Sequence, residues 1–470
     1  MRALERKLLR DVLRMRGQVL TVALVVGSGI TGFLALRSSH AALSRARTTY
    51  YDAERFGDVF ARLRRAPNAL RERVELLPGV ERAYTRVVDQ IRIPLAGEAQ
   101  PPVGILVSIP PSGIAPLNGV RLEQGRYPEP GRAEEVVLLA RFARRRSIAP
   151  GDTLAVVVKG VRQVLRIVGL GNSPEYVYPA QIGSASLNEE GTAVIWMEEE
   201  SAAAALGMSG AFNDVVLGLS PGAAPGAVIA EIDVLLEPYG GLGAVERRRQ
   251  SSNEILEGEL AQLRSYATTV PLIFLGVSAF LLNIVLSRLV ELQRAEIATL
   301  KAIGYSDRAV ALHYFGFVSL IVLLGTAIGV AAGGWLGRGL TGVYGDSFNL
   351  PYLEHRLTLP MIATGALASL AAAAAGALSA ARRIMRLAPA EAMRPPAPTV
   401  YRPLFVDRLG LQRFIGTAWR MVARELERRP LRTALSAIGI ALSMGTLIVG
   451  RSLFDSIDRL LEVQFETAMR

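Results

Sequence analysis

Side chains that commonly do chemistry in proteins are scarce in this chain of 470 residues. It has no cysteine and three histidines, His40, His313 and His355, which lie far apart in the sequence. Disulfides, thiolate nucleophiles and cysteine metal ligands are therefore excluded, and a zinc site or catalytic histidine cluster is not expected. The sequence also lacks the H-E-x-x-H and G-x-S-x-G patterns of metalloproteases and hydrolases. The chain is not expected to be an enzyme.

Lysine is equally rare and bears on nucleotide binding. Only Lys7, Lys159 and Lys301 occur, and none follows a glycine as the phosphate-binding G-x-x-x-x-G-K-[ST] loop requires. The chain therefore has no P-loop of its own, and no cofactor is expected on it.

Long uncharged runs dominate the rest of the sequence. A helix needs about 20 apolar residues to cross a bilayer core, within a range of about 17–25. Five runs approach or exceed that length and predict five transmembrane helices. They are 17–36, 265–287, 309–337, 357–381 and 433–450.

The basic residues collect beside these runs. The chain has a formal charge of +11, whereas segments 1–16, 288–308 and 382–432 together have 22 basic and 9 acidic residues, a net charge of +13. The whole basic excess is thus juxtamembrane, as the positive-inside rule expects of cytoplasmic segments, and nucleic-acid binding is not expected. The pattern predicts a multi-pass protein with a cytoplasmic N-terminus, residues 37–264 outside the cytoplasm, and the tail 451–470 outside again.

Residues 37–264 predict a large extracytoplasmic α+β domain with helical stalks at both edges. Residues 58–93 have a strand, helix, strand pattern, and residues 214–247 repeat it. Two such units predict a split ferredoxin-like core. Residues 100–210 between them are mostly strand and turn, with a hairpin at Lys159 and Gly160, and predict a small β lobe.

Two further patterns lie in the membrane part. In the third apolar run, glycines recur every four residues, which favours close helix packing, with a hinge or a substrate path as the alternative. These are Gly325, Gly329, Gly333 and Gly337. The loop 288–308 suits a short amphipathic helix that ends at Gly304. Taken alone, this helix is an interfacial connector between two spans.

The end of the chain repeats its beginning. Residues 6–14, RKLLRDVLR, resemble residues 420–428, RMVARELER. A second repeat therefore begins near 412, after a proline-rich linker. The first repeat comprises one helix, the outside domain and three further helices.

Three stretches together resemble the FtsX-like, MacB-type permeases of ABC transporters. Residues 294–304 are similar to that family's E-I-x-x-L-[KR]-A-x-G segment between the second and third helices. Residues 381–394 are similar to its exit from the fourth helix, and residues 429–439 to its entry into a first helix. Looser similarity to the family's periplasmic core domain occurs at 123–128, 134–138, 150–152 and 167–169.

The resemblance implies a permease in the plasma (inner) membrane of a prokaryote. It implies a separate P-loop ATPase, acting as a dimer and binding ATP and Mg, as partner, besides membrane lipids and an extracytoplasmic accessory protein as a candidate. The 294–304 helix would be its coupling helix. The residues assigned to that role are Arg294, Glu296, Ile297, Leu300, Lys301 and Gly304. The resemblance also implies mechanotransmission, in which the outside domain moves to export or extract a lipid, lipoprotein or peptide.

Two expectations remain open. A two-repeat permease would continue with a second outside domain, so the chain is expected to be a fragment that ends after the first helix of the second repeat. The alternative function is a membrane-anchored signalling or regulatory module, which senses a ligand or activates an extracytoplasmic hydrolase.

Overall fold

The computed structural model describes residues 3–94, 102–178 and 192–386, and scattered positions between 426 and 451. The chain divides into two compact units. The first contains residues 1–34, 267–334 and 358–470, and the second contains residues 35–266 and 335–357. The predicted span 433–450 and the segment 451–470 lie largely outside the described residues, as does nearly all of the linker 382–432.

The first unit is built from helices. They are α1 (Ala3–Arg14), α2 (Arg16–Ala53), α7 (Ser251–Leu292), α8 (Arg294–Ala302), α9 (Asp307–Ser347) and α10 (Leu359–Arg386), of which α2, α7 and α9 also contribute residues to the second unit. In the described part of the chain, four helices are long and apolar enough to span a membrane: α2, α7, α9 and the first 20 residues of α10. The first three helices contain the first three predicted runs, and α10 begins two residues after the start of the fourth, so the predicted membrane-protein class is confirmed.

The ferredoxin-like core of the second unit is a four-stranded antiparallel sheet. Its strands are β1 (Val59–Pro67), β2 (Val80–Arg86), β10 (Ala211–Leu219) and β11 (Gly241–Glu246), in the order β11-β1-β10-β2. Helices α3 (Arg71–Glu75) and α6 (Pro225–Leu236) connect the strands of each half. Buried apolar residues from the sheet and both helices, such as Val59, Val74, Phe212 and Ile232, form one core. The predicted split ferredoxin-like arrangement is confirmed, with 124 residues inserted between β2 and β10.

The inserted lobe is larger than the small β lobe that the sequence predicts. Its seven strands are β3 (Val88–Arg92), β4 (Val103–Ile109), β5 (Arg121–Gly125), β6 (Glu135–Leu139), β7 (Thr153–Val158), β8 (Val161–Asn172) and β9 (Ala193–Glu198), with helices α4 (Ala140–Arg145) and α5 (Glu199–Ala205). Residues 80–93, the last part of the first strand, helix, strand pattern, form two strands separated at Val87. The first of these strands joins the core sheet and the second joins the lobe. The runs of consecutive buried residues in β4, β6 and β9 hide the alternation by which strands are usually recognised.

The lobe's sheet closes on itself. The first half of β8 pairs with β7 and its second half with β6, while β7 also meets β3 at Val157 and Arg92. The hairpin between β7 and β8 turns at Lys159 and Gly160, which both have positive φ, 48° and 86°. Two such residues form the tight turn that matches the twist of paired strands. The predicted hairpin at this position is confirmed.

A buried ion network joins the core sheet to the lobe. The guanidinium of Arg86, at the end of β2, donates to Asp214 Oδ1 and to Glu175 Oε1, both at 2.6 Å. Asn118 donates to the other oxygen of Glu175 at 2.7 Å. Burial alone would lower the pKa of Arg86, but the two carboxylates raise it well above its usual value. Arg86 is therefore a fixed positive charge at the point where the two sheets meet.

The segment after α9 belongs to the base of the second unit. The side chains of Phe348 and Leu350 are buried among residues of α2 and α7, including Leu43 and Leu256. Between them, Asn349 donates its backbone N–H to Val177 O at 2.8 Å. Residues 338–356, which join the third and fourth predicted spans, thus contribute Phe348 and Leu350 to the domain's core.

Candidate functional site

Helix α8 connects α7 to α9 and is bounded at both ends by local geometry. Its C-terminus closes with the N–H of Tyr305 bonded to Leu300 O at 3.1 Å and that of Gly304 bonded to Lys301 O at 3.0 Å. Gly304 has a φ of +104°, a conformation that a side chain disfavours. A glycine at this position therefore lets the chain leave α8 and enter α9 within five residues.

The inner side of α8 is fixed to α10. Ile297 and Ala298 are fully buried, and the side chain of Lys301 is only 6% exposed. Lys301 Nζ donates to the carbonyl of Ile384 at 2.7 Å and pairs with Asp307 at 2.8 Å. A charged group so placed holds the helix in position.

A second attachment joins α8 to α1. Lys7 Nζ donates to Asp11 Oδ2 at 2.6 Å and to Gln293 Oε1 at 3.1 Å, and it lies 3.1 Å from Glu296 Oε2. The hydroxyl of Tyr314, on α9, donates to the same Gln293 oxygen at 2.6 Å. No pattern in the sequence indicates these contacts of Lys7, Gln293 and Tyr314. The only signal was that Lys7 is one of three lysines and lies in an amphipathic segment.

The outer side of α8 exposes apolar surface. Leu292, just before the helix, and Ile303, just after it, are each 72% exposed. Ala295, Thr299 and Ala302 between them are exposed as well. Because these positions follow one another at helical spacing, they form a continuous strip, which we call the α8 outer strip.

The structure divides the six predicted coupling residues. Glu296 and Gly304 are exposed, Ile297 and Lys301 face the protein interior, and Arg294 and Leu300 are half-buried. The two isoleucines of this segment lie on different sides, since Ile297 packs inward while Ile303 points outward. The exposed surface of α8 is formed mainly by the outer strip and Glu296.

The predicted glycine row lies along α9, and all four of its members contact α2. A Cβ added at Gly325 would lie 2.8 Å from Val26 Cγ1, one at Gly329 2.6 Å from Ile30 Cβ, and one at Gly333 3.0 Å from Leu34 Cβ. These distances leave no room for a side chain, so small residues allow the two backbones to approach closely. In the second unit, a Cβ at Gly337 would lie 2.6 Å from His355 Cε1 and 2.8 Å from Ser38 Oγ.

The arrangement around α8 offers a rigid surface and no reactive constellation. Among the residues that the structure describes, no group of three or more histidine, aspartate or glutamate side chains is placed to hold a metal ion. The ion pairs at Lys7 and Lys301 join helices to each other. The outward side of α8 therefore presents apolar side chains and the Glu296 carboxylate, on a helix held by ion pairs.

Comparison with known proteins identifies the region that contains α8. Residues 268–389 match the model of the FtsX-like permease C-terminal family. No curated protein matches the sequence significantly. Two similar solved structures are the extracellular domain of the noncanonic ABC-type transporter YknZ from Gram-positive bacteria and the periplasmic region of MacB from Actinobacillus actinomycetemcomitans. The YknZ domain is 10% identical in sequence, and the match covers 40% of this chain and 98% of that domain, with a TM-score of 0.28. The MacB region is also 10% identical, and the match covers 43% of this chain and 92% of that region, with a TM-score of 0.26.

The family match confirms the resemblance found in the sequence. It spans most of α7, all of α8 and α9, and all of α10. The chain is accordingly a membrane protein in which residues 268–389 are similar to the FtsX-like permease C-terminal family.

Proposed function

We propose that this chain is the permease subunit of an ABC transporter and that a separate P-loop ATPase binds the α8 outer strip. The observation that supports this most directly is the contrast between the two sides of α8. Its inner side is tied to α1 and α10 through Lys7 and Lys301, while Leu292 and Ile303 are exposed. An exposed apolar strip on a firmly held helix suits a partner groove.

The partner would supply the chemical energy, with ATP and Mg bound on two ATPase copies. The lengths of α2, α7 and α9, which have 38, 42 and 41 residues, support mechanotransmission. A bilayer crossing needs only about 20, so each helix continues well past its apolar run. Movement of α8 would then be carried along these helices to the domain of residues 37–264, on the opposite side of the membrane, where a lipid, lipoprotein or peptide is handled.

Introducing a negative charge into the apolar α8 outer strip tests this proposal. Ile303→Asp should weaken binding of the co-purifying ATPase at least tenfold, because burying an aliphatic side chain of this size contributes about 1.5–3 kcal/mol. Leu76→Asp is the matched control, since Leu76 is 81% exposed but belongs to the domain on the other face of the proposed membrane. The measurements are the amount of ATPase recovered with the full chain from native membranes and the rate of its ATP hydrolysis.

Three outcomes separate the candidates. Loss of ATPase with Ile303→Asp alone supports the transporter. Equal recovery with both variants would remove the α8 outer strip from the interface. Recovery of an extracytoplasmic hydrolase or ligand-binding protein, without any ATPase, would instead favour the signalling module.

A further inference from the structure

Helix α1 presents two different faces. Lys7, Leu8 and Asp11 face the protein, where Lys7 pairs with Asp11 and Glu296. Leu9 and Leu13 point away from it and are 53% and 64% exposed. Because these two leucines are four residues apart, they form an apolar strip along one side of the helix.

Basic side chains lie beside these leucines. Arg6, Arg10 and Arg14 are exposed, and in the part of the chain that the structure describes no acidic side chain pairs with them. They recur every four residues, so they form a row next to the leucine pair. An apolar strip bordered by unpaired arginines matches the boundary between acyl chains and anionic headgroups.

The depth of α1 follows from its contacts with α9. Helices α2 and α9 run parallel, with Gly27 beside Gly325, Ile30 beside Gly329 and Leu34 beside Gly333. By this register, Gly316 should lie level with residues 17–18 of the chain.

Instead, the side chain of Leu8 occupies that level, 3.1 Å from where a Cβ on Gly316 would be. If α1 continued straight below α2, Leu8 would lie about 14 Å away at 1.5 Å per residue. The chain therefore turns near Met15, where α1 and α2 are separate helices. Because Gly316 lies seven residues inside the apolar run that starts at Ala309, α1 lies at the level of the membrane boundary and not below it.

We propose that α1 is an interfacial helix that binds anionic phospholipids of the cytoplasmic leaflet. Leu9 and Leu13 insert among the upper acyl chains, and Arg6, Arg10 and Arg14 contact the phosphate groups. The occupant is a lipid surface because, among the side chains of α1 whose exposure the structure describes, the exposed charges are all positive, and because α1 leads directly into a membrane-spanning helix.

Lipid binding at α1 would also bear on α8. Lys7 lies on the opposite face of α1 and joins it to Gln293 and Glu296. Anionic lipid would thus fix the helix from which α8 is held. This inference concerns the lipid contact alone and requires no ATPase, so its failure would leave the proposed function standing.

The absence of cysteine from the sequence allows a direct test. A nitroxide is attached to Leu9→Cys in the full chain, reconstituted in phosphatidylcholine with or without phosphatidylglycerol. Its collision rates with oxygen and with a water-soluble nickel complex report depth. Ile303→Cys is the matched control, because it is also an exposed apolar position in the first unit but belongs to the α8 outer strip.

The label on Leu9→Cys should be accessible to oxygen and shielded from nickel when phosphatidylglycerol is present, whereas that on Ile303→Cys should remain accessible to nickel. Each of Arg6→Gln, Arg10→Gln and Arg14→Gln should lower the docking equilibrium about fivefold, since one basic side chain near an anionic surface is worth about 1 kcal/mol. The triple variant should lose the phosphatidylglycerol dependence.

Other results would overturn the inference. Nickel access to Leu9→Cys in both bilayers would show that α1 is in water. Shielding that ignores both phosphatidylglycerol and the arginines would exclude anionic headgroups as the ligand. Shielding that appears only after a partner ATPase is added would assign this face to a protein interface.

Discussion

Replacing Arg86 with methionine should destabilise the second unit by about 3–5 kcal/mol. The Arg86 side chain is 3% exposed and is 2.6 Å from both Asp214 and Glu175, whose side chains are 6% and 5% exposed. Without it, the partners that remain among the described residues are the Asn118 amide for Glu175 and Arg62, at 3.6 Å, for Asp214. The expected cost is that of leaving buried charge without its partner, which exceeds the net value of the ion pairs themselves.

The same reasoning predicts a rescue. In the variant Arg86→Met/Glu175→Gln/Asp214→Asn, no buried charge is left without its partner, so at least half of the lost stability should return. Arg82→Met is the matched control, because Arg82 lies on the same strand but its side chain is 45% exposed and pairs only with Glu81 at 3.6 Å. A surface pair of this kind contributes about 0–1 kcal/mol.

Trp196 provides a local probe of this unfolding. It is 1% exposed and its ring lies 6.1 Å from that of Tyr176, the neighbour of Glu175. With Trp335 and Trp419 replaced by phenylalanine, fluorescence during guanidinium denaturation in detergent reports on the second unit alone. The reasoning is refuted if Arg86→Met is no more destabilising than Arg82→Met, or if the triple variant is no more stable than Arg86→Met.

Three further variants probe other parts of the chain. Gly329→Ala should lower the stability of the first unit by about 1–3 kcal/mol, since its Cβ would lie 2.6 Å from a neighbouring Cβ. Gly276→Ala, which is also in the first unit and has no described atom within 4 Å of the added Cβ, should be neutral or slightly stabilising, and melting in detergent compares the two. Lys301→Met should speed amide hydrogen exchange in 294–302 at least tenfold through loss of a charged hydrogen bond, and Lys159→Met, at a side chain that is 59% exposed, should leave this exchange unchanged. A hydrogen bond from Arg126 lowers the pKa of the buried Glu135 to about 2, below its unfolded value of about 4.3. Its contribution to stability should therefore be present at neutral pH and lost as the pH falls from about 4 through 2. Glu135→Gln should therefore be less stable than the parent at pH 7. Denaturation curves at pH 7 and at about pH 2 should show that the difference in stability between the two proteins becomes smaller in acid. A difference that does not change with pH would contradict the assignment.

Much of the fold could be predicted from local patterns. The uncharged runs predict membrane helices because a bilayer imposes both length and composition on a helix. The two strand, helix, strand units predict the ferredoxin-like sheet, since each unit encodes its own periodicity. The lobe was harder to predict, because β4, β6 and β9 are buried on both faces and show no alternation. Its closure depends on which half of β8 meets which strand, and no local pattern encodes that.

The candidate site divides in the same way. Sequence similarity located α8 and its glycine stop, which are properties of a short continuous segment. The similarity assigned Ile297 and Lys301 to contacts with a partner, whereas both side chains face the interior of this chain. It did not indicate Leu292, which is exposed. Helical spacing shows which residues share a side but not which side faces out.

The sequence by itself determined the membrane class, and its charge placement predicts the direction of insertion. Composition and charge placement suffice for these, because hydrophobic length and the positions of basic residues act independently of how the helices pack. Tertiary structure decided what each residue touches. Lys7 reaches Glu296, which is 289 positions away, and Arg86 joins Asp214 to Glu175. Such pairs form only when distant segments pack together and exclude water, so the energies that hold α8 and the two sheets in place appear only in the folded chain.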